Sequence, residues 1–161
     1  MRIGVLSDTH IPSRARRLPP EVCSGMAGVD LIIHAGDLVH PDVLSTLATT
    51  APVHAVCGNM DPPPLRRMLP RRRVVEAQGW RIGVVHGDGS SGSTLTRAVR
   101  SFDDVHCIVF GHSHRAVCMR HEGLVLLNPG SPTDKRMSSQ YSYAILTLSA
   151  AGVDAQIVYF D

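Results

Sequence analysis

Short aliphatic and β-branched runs, each closed by polar or glycine-containing sequence, mark the first two thirds of the chain: Arg2–Leu6, Asp30–His34, Val53–Cys57, Arg81–Val85 and Val105–Phe110. Runs this short, bounded by turn formers, predict buried strands. Between the first three lie segments with helical character, 20–27 and 41–48. The second opens on Pro41, whose missing N–H costs little in a first helical turn. Strand, helix, strand, helix, strand predicts a parallel sheet.

The pattern breaks after Asn59. Asp61-Pro62-Pro63-Pro64, followed by Arg71-Arg72-Arg73, reads as an extended surface loop. Residues 73–77 and 80–85 flank Gln78-Gly79 and predict a hairpin, and 93–102 reads as a helix capped by Ser93. Beyond it, 116–120, 124–127, 143–148 and 153–159 are short strands, joined by turns at His121-Glu122-Gly123 and Ala150-Ala151-Gly152. Parallel strands first and hairpins later predict an α/β fold of two packed mixed β-sheets with helices outside.

Composition narrows the picture. With 161 residues, 43% of them hydrophobic, the chain suits one domain over residues 1–161. A formal net charge of +2 sets no overall bias toward nucleic acid or an anionic membrane. The opening Met1-Arg2-Ile3-Gly4-Val5-Leu6-Ser7-Asp8 meets an aspartate before an apolar leader can form. No later segment is apolar for long enough to span a bilayer, so a cytoplasmic protein is expected. Cys23, Cys57, Cys107 and Cys118 form no Cys-x-x-Cys pair, and Cys57 and Cys107, inside apolar runs, are expected as buried thiols.

Candidate metal ligands follow one expected strand after another. Asp8 and His10 come after the first, Asp37 after the second, Asn59 after the third, His86 after the hairpin strand, and His112 with His114 after the run ending at Phe110. Loops at the carboxyl ends of parallel strands converge on one rim, so residues this far apart can meet. Imidazole and carboxylate with one amide and no thiolate suit manganese, iron or zinc better than a structural zinc knuckle. Seven ligands exceed one tetrahedral sphere, and a carboxylate such as Asp37 can bridge two ions. Glycines at 36, 58, 87 and 111 flank these residues and let the backbone turn beside them.

Ser7-Asp8-Thr9-His10, Ala35-Gly36-Asp37, Gly58-Asn59-Met60-Asp61, Val85-His86-Gly87, Gly111-His112-Ser113-His114 and Asn128-Pro129-Gly130-Ser131 follow in that order. In this the chain resembles the calcineurin-like metallophosphoesterase superfamily, and within it the short bacterial and archaeal phosphodiesterases of the YfcE type. The resemblance implies a four-layer sandwich and two divalent metal ions, Mn²⁺ preferred, with Fe, Zn, Ni or Co as substitutes. One ion would be held by Asp8, His10, Asp37 and His114, the other by Asp37, Asn59, His86 and His112, with Asp37 bridging. Asp37, Asn59 and His86 would be central to catalysis, which would cleave a small phosphate-ester substrate with a metal-bound hydroxide. Asp61 would orient ligands from outside the inner set, and the Asn128–Ser131 turn would lie near the site. Small relatives imply a homodimer or homotetramer.

Two departures qualify the resemblance. Met60 stands where many larger members carry a histidine able to protonate the leaving group. A missing acid typically forfeits about 10²–10⁴-fold on poor leaving groups, which favours diesters with acidic ones. Arg115 follows the last motif histidine, and both a contact to a phosphate oxygen and an ordinary surface charge fit it. Two alternatives compete: a non-catalytic Vps29-like protein-interaction scaffold, and a nucleotide or protein phosphomonoesterase. His34, His40, His54, His106 and His121 lie outside the motifs and are expected to be structural. The arginines at 14, 16, 17, 66, 67, 71, 72 and 73 read as solvated faces or as steering charge. With 4% aromatic residues and none interleaved with those arginines, nucleic-acid binding is not supported.

Overall fold

In the computed structural model, which describes residues 1–161, β1 (Arg2–Leu6) pairs in parallel with β2 (Leu31–His34), and β2 with β3 (Val53–Ala55). Helices α1 (Pro20–Gly25) and α2 (Asp42–Ala48) make the two crossovers. The other edge of this sheet is the hairpin of β9 (Tyr141–Ser149) and β10 (Gly152–Phe160), giving the order β10-β9-β1-β2-β3 with β9 antiparallel to β1. The second sheet has the order β4-β5-β6-β8-β7, from β4 (Arg72–Ala77), β5 (Trp80–Val85), β6 (Cys107–Val109), β7 (Val117–His121) and β8 (Leu124–Asn128). Within it β5, β6 and β8 run parallel, while β4 and β7 close the edges as hairpin partners. Two mixed sheets flanked by helices are therefore the architecture that the sequence predicts.

The period-two alternation of the strands explains the layering. Ile3 and Val5 of β1 face the second sheet and join Ile33, Val75, Ile82, Val84, Val109, Val125 and Leu127 in the largest core cluster. Leu6 and Ile32 face the other way and pack with Val22 of α1, Met26 just after it, and Val43 and Leu47 of α2. On the far side of the second sheet, Ile108 and Leu126 meet Ala98 of α4 (Thr94–Val99). Helix α4 begins where expected, Ser93 Oγ accepting the N–H of Thr96 at 3.1 Å. Cys57 and Cys107 are buried, and burial pushes the Cys107 thiol up to about 12.

One expectation fails. The proline-rich stretch after Asn59 is not wholly a surface loop, because it contains a short helix, α3 (Pro63–Met68). Prolines are excluded from helix interiors but not from the first turn, whose N–H groups have no intrahelical partner, and Pro63 and Pro64 stand there. Leu65, 1% exposed, anchors the helix in the core beneath α1 and α2. The arginine run does not stay outside regular structure either, since Arg72 and Arg73 open β4.

Candidate metal centre

All seven candidate ligands lie on loops leaving the carboxyl ends of parallel strands, three from the first sheet and two from the second. The histidines fall into two groups. His10 and His114 stack with ring centroids 5.1 Å apart, their Nε2 atoms separated by 3.3 Å. His86 and His112 meet edge to face at 5.3 Å, and His112 Nδ1 lies 3.0 Å from Asn59 Oδ1. Asp37 stands between the groups, its Oδ2 3.7 Å from His10 Nε2 and 3.2 Å from His86 Nε2. Asp8 Oδ1 lies 3.3 Å from His114 Nε2, 3.8 Å from His10 Nε2 and 3.9 Å from His86 Nε2. Asp8, His10 and His114, and separately Asp8, Asp37 and His86, bring their donor atoms close enough to hold an ion.

Each of the central residues is bound to the protein on one side and bare on the other. Asp8 Oδ2 accepts the Ser7 hydroxyl at 2.7 Å and the His112 N–H at 2.9 Å, leaving Oδ1 directed at the histidines. Asp37 Oδ1 accepts the Met60 N–H at 2.8 Å, leaving Oδ2. His86 donates Nδ1–H to the Ala35 carbonyl at 2.8 Å, and His114 donates Nδ1–H to that of Asp134, so both rings turn Nε2 inward. Asp8 Oδ1 and His86 Nε2 are buried without a hydrogen-bond partner. Unpartnered buried groups are costly, and here they converge on one point, as a bound cation requires. The donor set fits a divalent cation by this test.

The electrostatics agree. Burial disfavours the charge on Asp8, yet His10, His114 and His86 around it hold its carboxyl far below the usual carboxylate range. Asp37 is likewise lowered, burial being outweighed by His86 and the Met60 N–H. Burial opposes the charge on His86, but Asp37 and Asp8 push its pKa up to about 9. These carboxylates therefore call for positive charge at the point where the free lone pairs meet.

The loops that carry the ligands are held in conformations that L-residues rarely take. Asp8, His10, Asp37, His112 and His114 all have positive φ, between 41° and 67°. Val39, β-branched, has φ 77°. Such residues persist only where their surroundings over-determine them. Asp61, 1% exposed, supplies part of that constraint by accepting three main-chain N–H groups: Asp37 at 3.1 Å, Val39 at 2.7 Å and Gly58 at 2.8 Å. The absence of a side chain matters at Gly58, where a Cβ would lie 2.1 Å from Asp37 Oδ1. It matters again at Gly111, where a Cβ would lie 1.8 Å from Ser7 Oγ.

Residues outside the ligand set support it, among them the Asn128–Ser131 turn that the resemblance places near the site. Ser131 Oγ donates to the Asp8 carbonyl at 2.7 Å, and Thr133 Oγ1 to that of Thr9 at 2.6 Å, so the turn after β8 braces the first ligand loop. Asn128 Nδ2 donates to the Gly111 carbonyl at 2.8 Å, bracing the last one. Arg66 of α3 holds the carbonyls of Asn59 and Asp61. His34, fully buried, accepts the Gly36 N–H at Nδ1 and lies 3.1 Å from Thr9 Oγ1 at Nε2, so Nε2 carries the proton. Burial lowers its pKa to about 3, and it stays neutral. His40, by contrast, is exposed and pairs with Asp42 at 3.4 Å.

Comparison with known proteins accords with this geometry. The chain belongs to the calcineurin-like phosphoesterase superfamily, whose domain it matches over residues 1–151. It is 40% identical to a probable metallophosphoesterase of Methanothermobacter thermautotrophicus, with 98% of this chain and 92% of that protein covered. Among solved structures, a single-mutant Vps29 from Entamoeba histolytica superposes with a TM-score of 0.79 at 23% identity over 100% of both chains. An archaeal phosphodiesterase does so at 0.73 and 23% identity, over 98% of this chain and 100% of the other. At that identity the two structures establish a shared fold. The family implies divalent metals, and no helix of the chain is long and apolar enough to cross a membrane.

Proposed function

We propose that the chain is a dinuclear-metal phosphodiesterase, Mn²⁺ its preferred ion and Fe, Zn, Ni or Co substitutes. The observation that carries this reading is the position of Asp37 Oδ2, within 3.7 Å of a histidine from each of the two imidazole groups. Asp8, His10 and His114 would hold one ion and Asn59, His86 and His112 the other, Asp37 belonging to both. When bound, the ions supply charge neutralisation for the substrate phosphate and activate a water as nucleophile.

The protein's own contribution is orientation. The hydrogen bonds on the outer edges of Asp8, Asp37, His86 and His114 fix ring tautomers and carboxylate rotamers before substrate arrives, so little reorganisation accompanies the reaction. Asn59 and half-exposed His112 face the open side, where a phosphate oxygen would be oriented. Met60 offers no proton there, since its N–H is committed to Asp37 and its side chain is 57% exposed. A leaving group that departs unaided is therefore favoured, and diesters with acidic leaving groups meet that need better than alkyl monoesters.

The test is hydrolysis of bis(p-nitrophenyl) phosphate and p-nitrophenyl phosphate by chelator-stripped protein, before and after adding each of these metals. Asp37→Ala and His86→Ala are run beside the wild type. Metal-restored cleavage, faster on the diester and abolished in both variants, is expected. A folded protein inert with every metal would overturn the reading in favour of a Vps29-like interaction scaffold.

A further inference from the structure

Beside the His112–His114 loop runs an open groove of about 610 Å³. Its walls include Arg115, Arg136, Ser113, Ser138, Ser139 and Tyr159, and no carboxylate lines it. Arg115 directly follows a candidate ligand and makes no ion pair. Arg136 comes from a separate loop, and its guanidinium approaches the His112 carbonyl to 3.4 Å. The acid nearest to it, Asp134, lies 3.9 Å away and is engaged more closely by Arg14, at 3.2 Å. Ser138 donates to the His114 carbonyl at 3.3 Å, so the loop bearing Arg136 is tied to the loop bearing the histidines. Two guanidinium groups thus border one groove beside the His112–His114 loop, that of Arg115 without a counter-ion and that of Arg136 sharing Asp134 with Arg14.

A phosphodiester linkage carries one negative charge, which the metal centre itself neutralises. Two further cations a short step away serve no purpose for a substrate that bears only that charge. They suit a substrate whose retained arm bears a second phosphate, which Arg115 and Arg136 bind through charge-assisted hydrogen bonds, with the hydroxyls of Ser113 and Ser139 as additional donors. Resting on the phosphodiesterase reading above, the geometry points to a substrate class: phosphodiesters with a second phosphoryl group on the arm that is not the leaving group. Tyr159, 55% exposed, offers a ring face beside the same groove, which a nucleoside-type arm can use.

Two esters with the same leaving group separate this from the general activity. Thymidine 5′-(p-nitrophenyl phosphate) carries one phosphate, and its 3′-phosphorylated counterpart carries two. The Mn²⁺-loaded wild type is expected to favour the latter in kcat/KM by about tenfold or more, the scale of a charged hydrogen bond. In Arg115→Gln/Arg136→Gln the ratio between the two esters falls to near one, a comparison within one enzyme that a general loss of activity does not disturb. A wild-type ratio near one, or a ratio unaffected by the double substitution, overturns the groove assignment. If neither ester is cleaved, only the phosphodiesterase reading fails. Calorimetric binding of thymidine 3′,5′-bisphosphate and thymidine 5′-monophosphate to the same protein then decides the groove. Tighter binding of the bisphosphate that is lost in the double variant sustains it, and equal affinities overturn it.

Discussion

The carboxylate of Asp61 accepts the main-chain N–H of Asp37 at 3.1 Å, and through the N–H groups of Val39 and Gly58 it ties the loop after β2 to the loop after β3. Asp61 contacts none of the other candidate ligands through its side chain, yet it fixes the backbone of Asp37, which with Asp8 reaches both groups of histidines. Each buried N–H left without an acceptor costs about 1–3 kcal/mol. Asp61→Ala is therefore expected to destabilise the protein by about 3 kcal/mol or more. Loss of the support around a metal ligand typically weakens metal binding 10–100-fold. Denaturant unfolding and metal titration of the variant read the two effects separately.

Metal should stabilise the fold, because Asp8 Oδ1 and His86 Nε2 are buried without partners in its absence. A ligand at a hundred times its dissociation constant adds about 2.7 kcal/mol to a one-site protein. For a chain of this size each kcal/mol moves the midpoint of thermal unfolding by about 2–4 °C. Melting after chelator treatment and again after adding Mn²⁺ should differ by about 5–10 °C. In Asp37→Asn, which removes the charge shared by His10 and His86, the shift should largely disappear. An equal shift in wild type and variant would mean that metal stabilises the protein from some other place.

Two glycines with different surroundings make a sharper comparison. A Cβ at Gly58 would come within 2.1 Å of Asp37 Oδ1 and 2.7 Å of the Asp37 backbone nitrogen, while one at Gly28 meets nothing within 4 Å. Gly28→Ala meets only the strain of its positive φ, about 1–2 kcal/mol. Gly58→Ala must push Asp37 aside, an overpacking cost of about 1–3 kcal/mol. It should also lose metal-dependent hydrolysis, whereas Gly28→Ala should retain it. Chemical denaturation with activity on bis(p-nitrophenyl) phosphate checks both.

These contrasts show which parts of the site were legible from residue order. Each candidate ligand announced itself because a polar residue with metal-binding chemistry stood at the end of an apolar run, and parallel strands bring such ends together. Asp61 was legible only through its neighbourhood to Asn59, and its three N–H acceptances could not be read from spacing. Asp134 and Arg136 gave no sign, because Asp134 orients His114 through a main-chain carbonyl, which any residue type supplies. Helix α3 was hidden by its own prolines, which count against a helix everywhere but in its first turn. His34 looked like one structural histidine among five, and its burial against Thr9 depends on a strand pairing visible only in the fold.

The buried imidazoles give the metal-free protein a stability profile with two flanks. His34 has its pKa lowered from 6.5 to about 3, so between those values the unfolded chain binds a proton that the folded one refuses. Stability from this group is present above pH 6.5 and is lost as pH falls toward 3, by up to about 1.4 kcal/mol per pH unit. His86 acts in the opposite sense: with its pKa raised from 6.5 to about 9, its contribution is present below 6.5 and is lost as pH rises through 9. The two windows do not overlap, so chelator-treated protein should be most stable near pH 6.5 and weaken on both sides. In His34→Gln, whose amide can still accept the Gly36 N–H and donate toward Thr9, the acid flank should flatten while the alkaline flank remains. Melting temperatures from pH 4 to 9.5 for the two proteins measure both slopes. An unchanged acid flank in the variant would assign that loss to other groups.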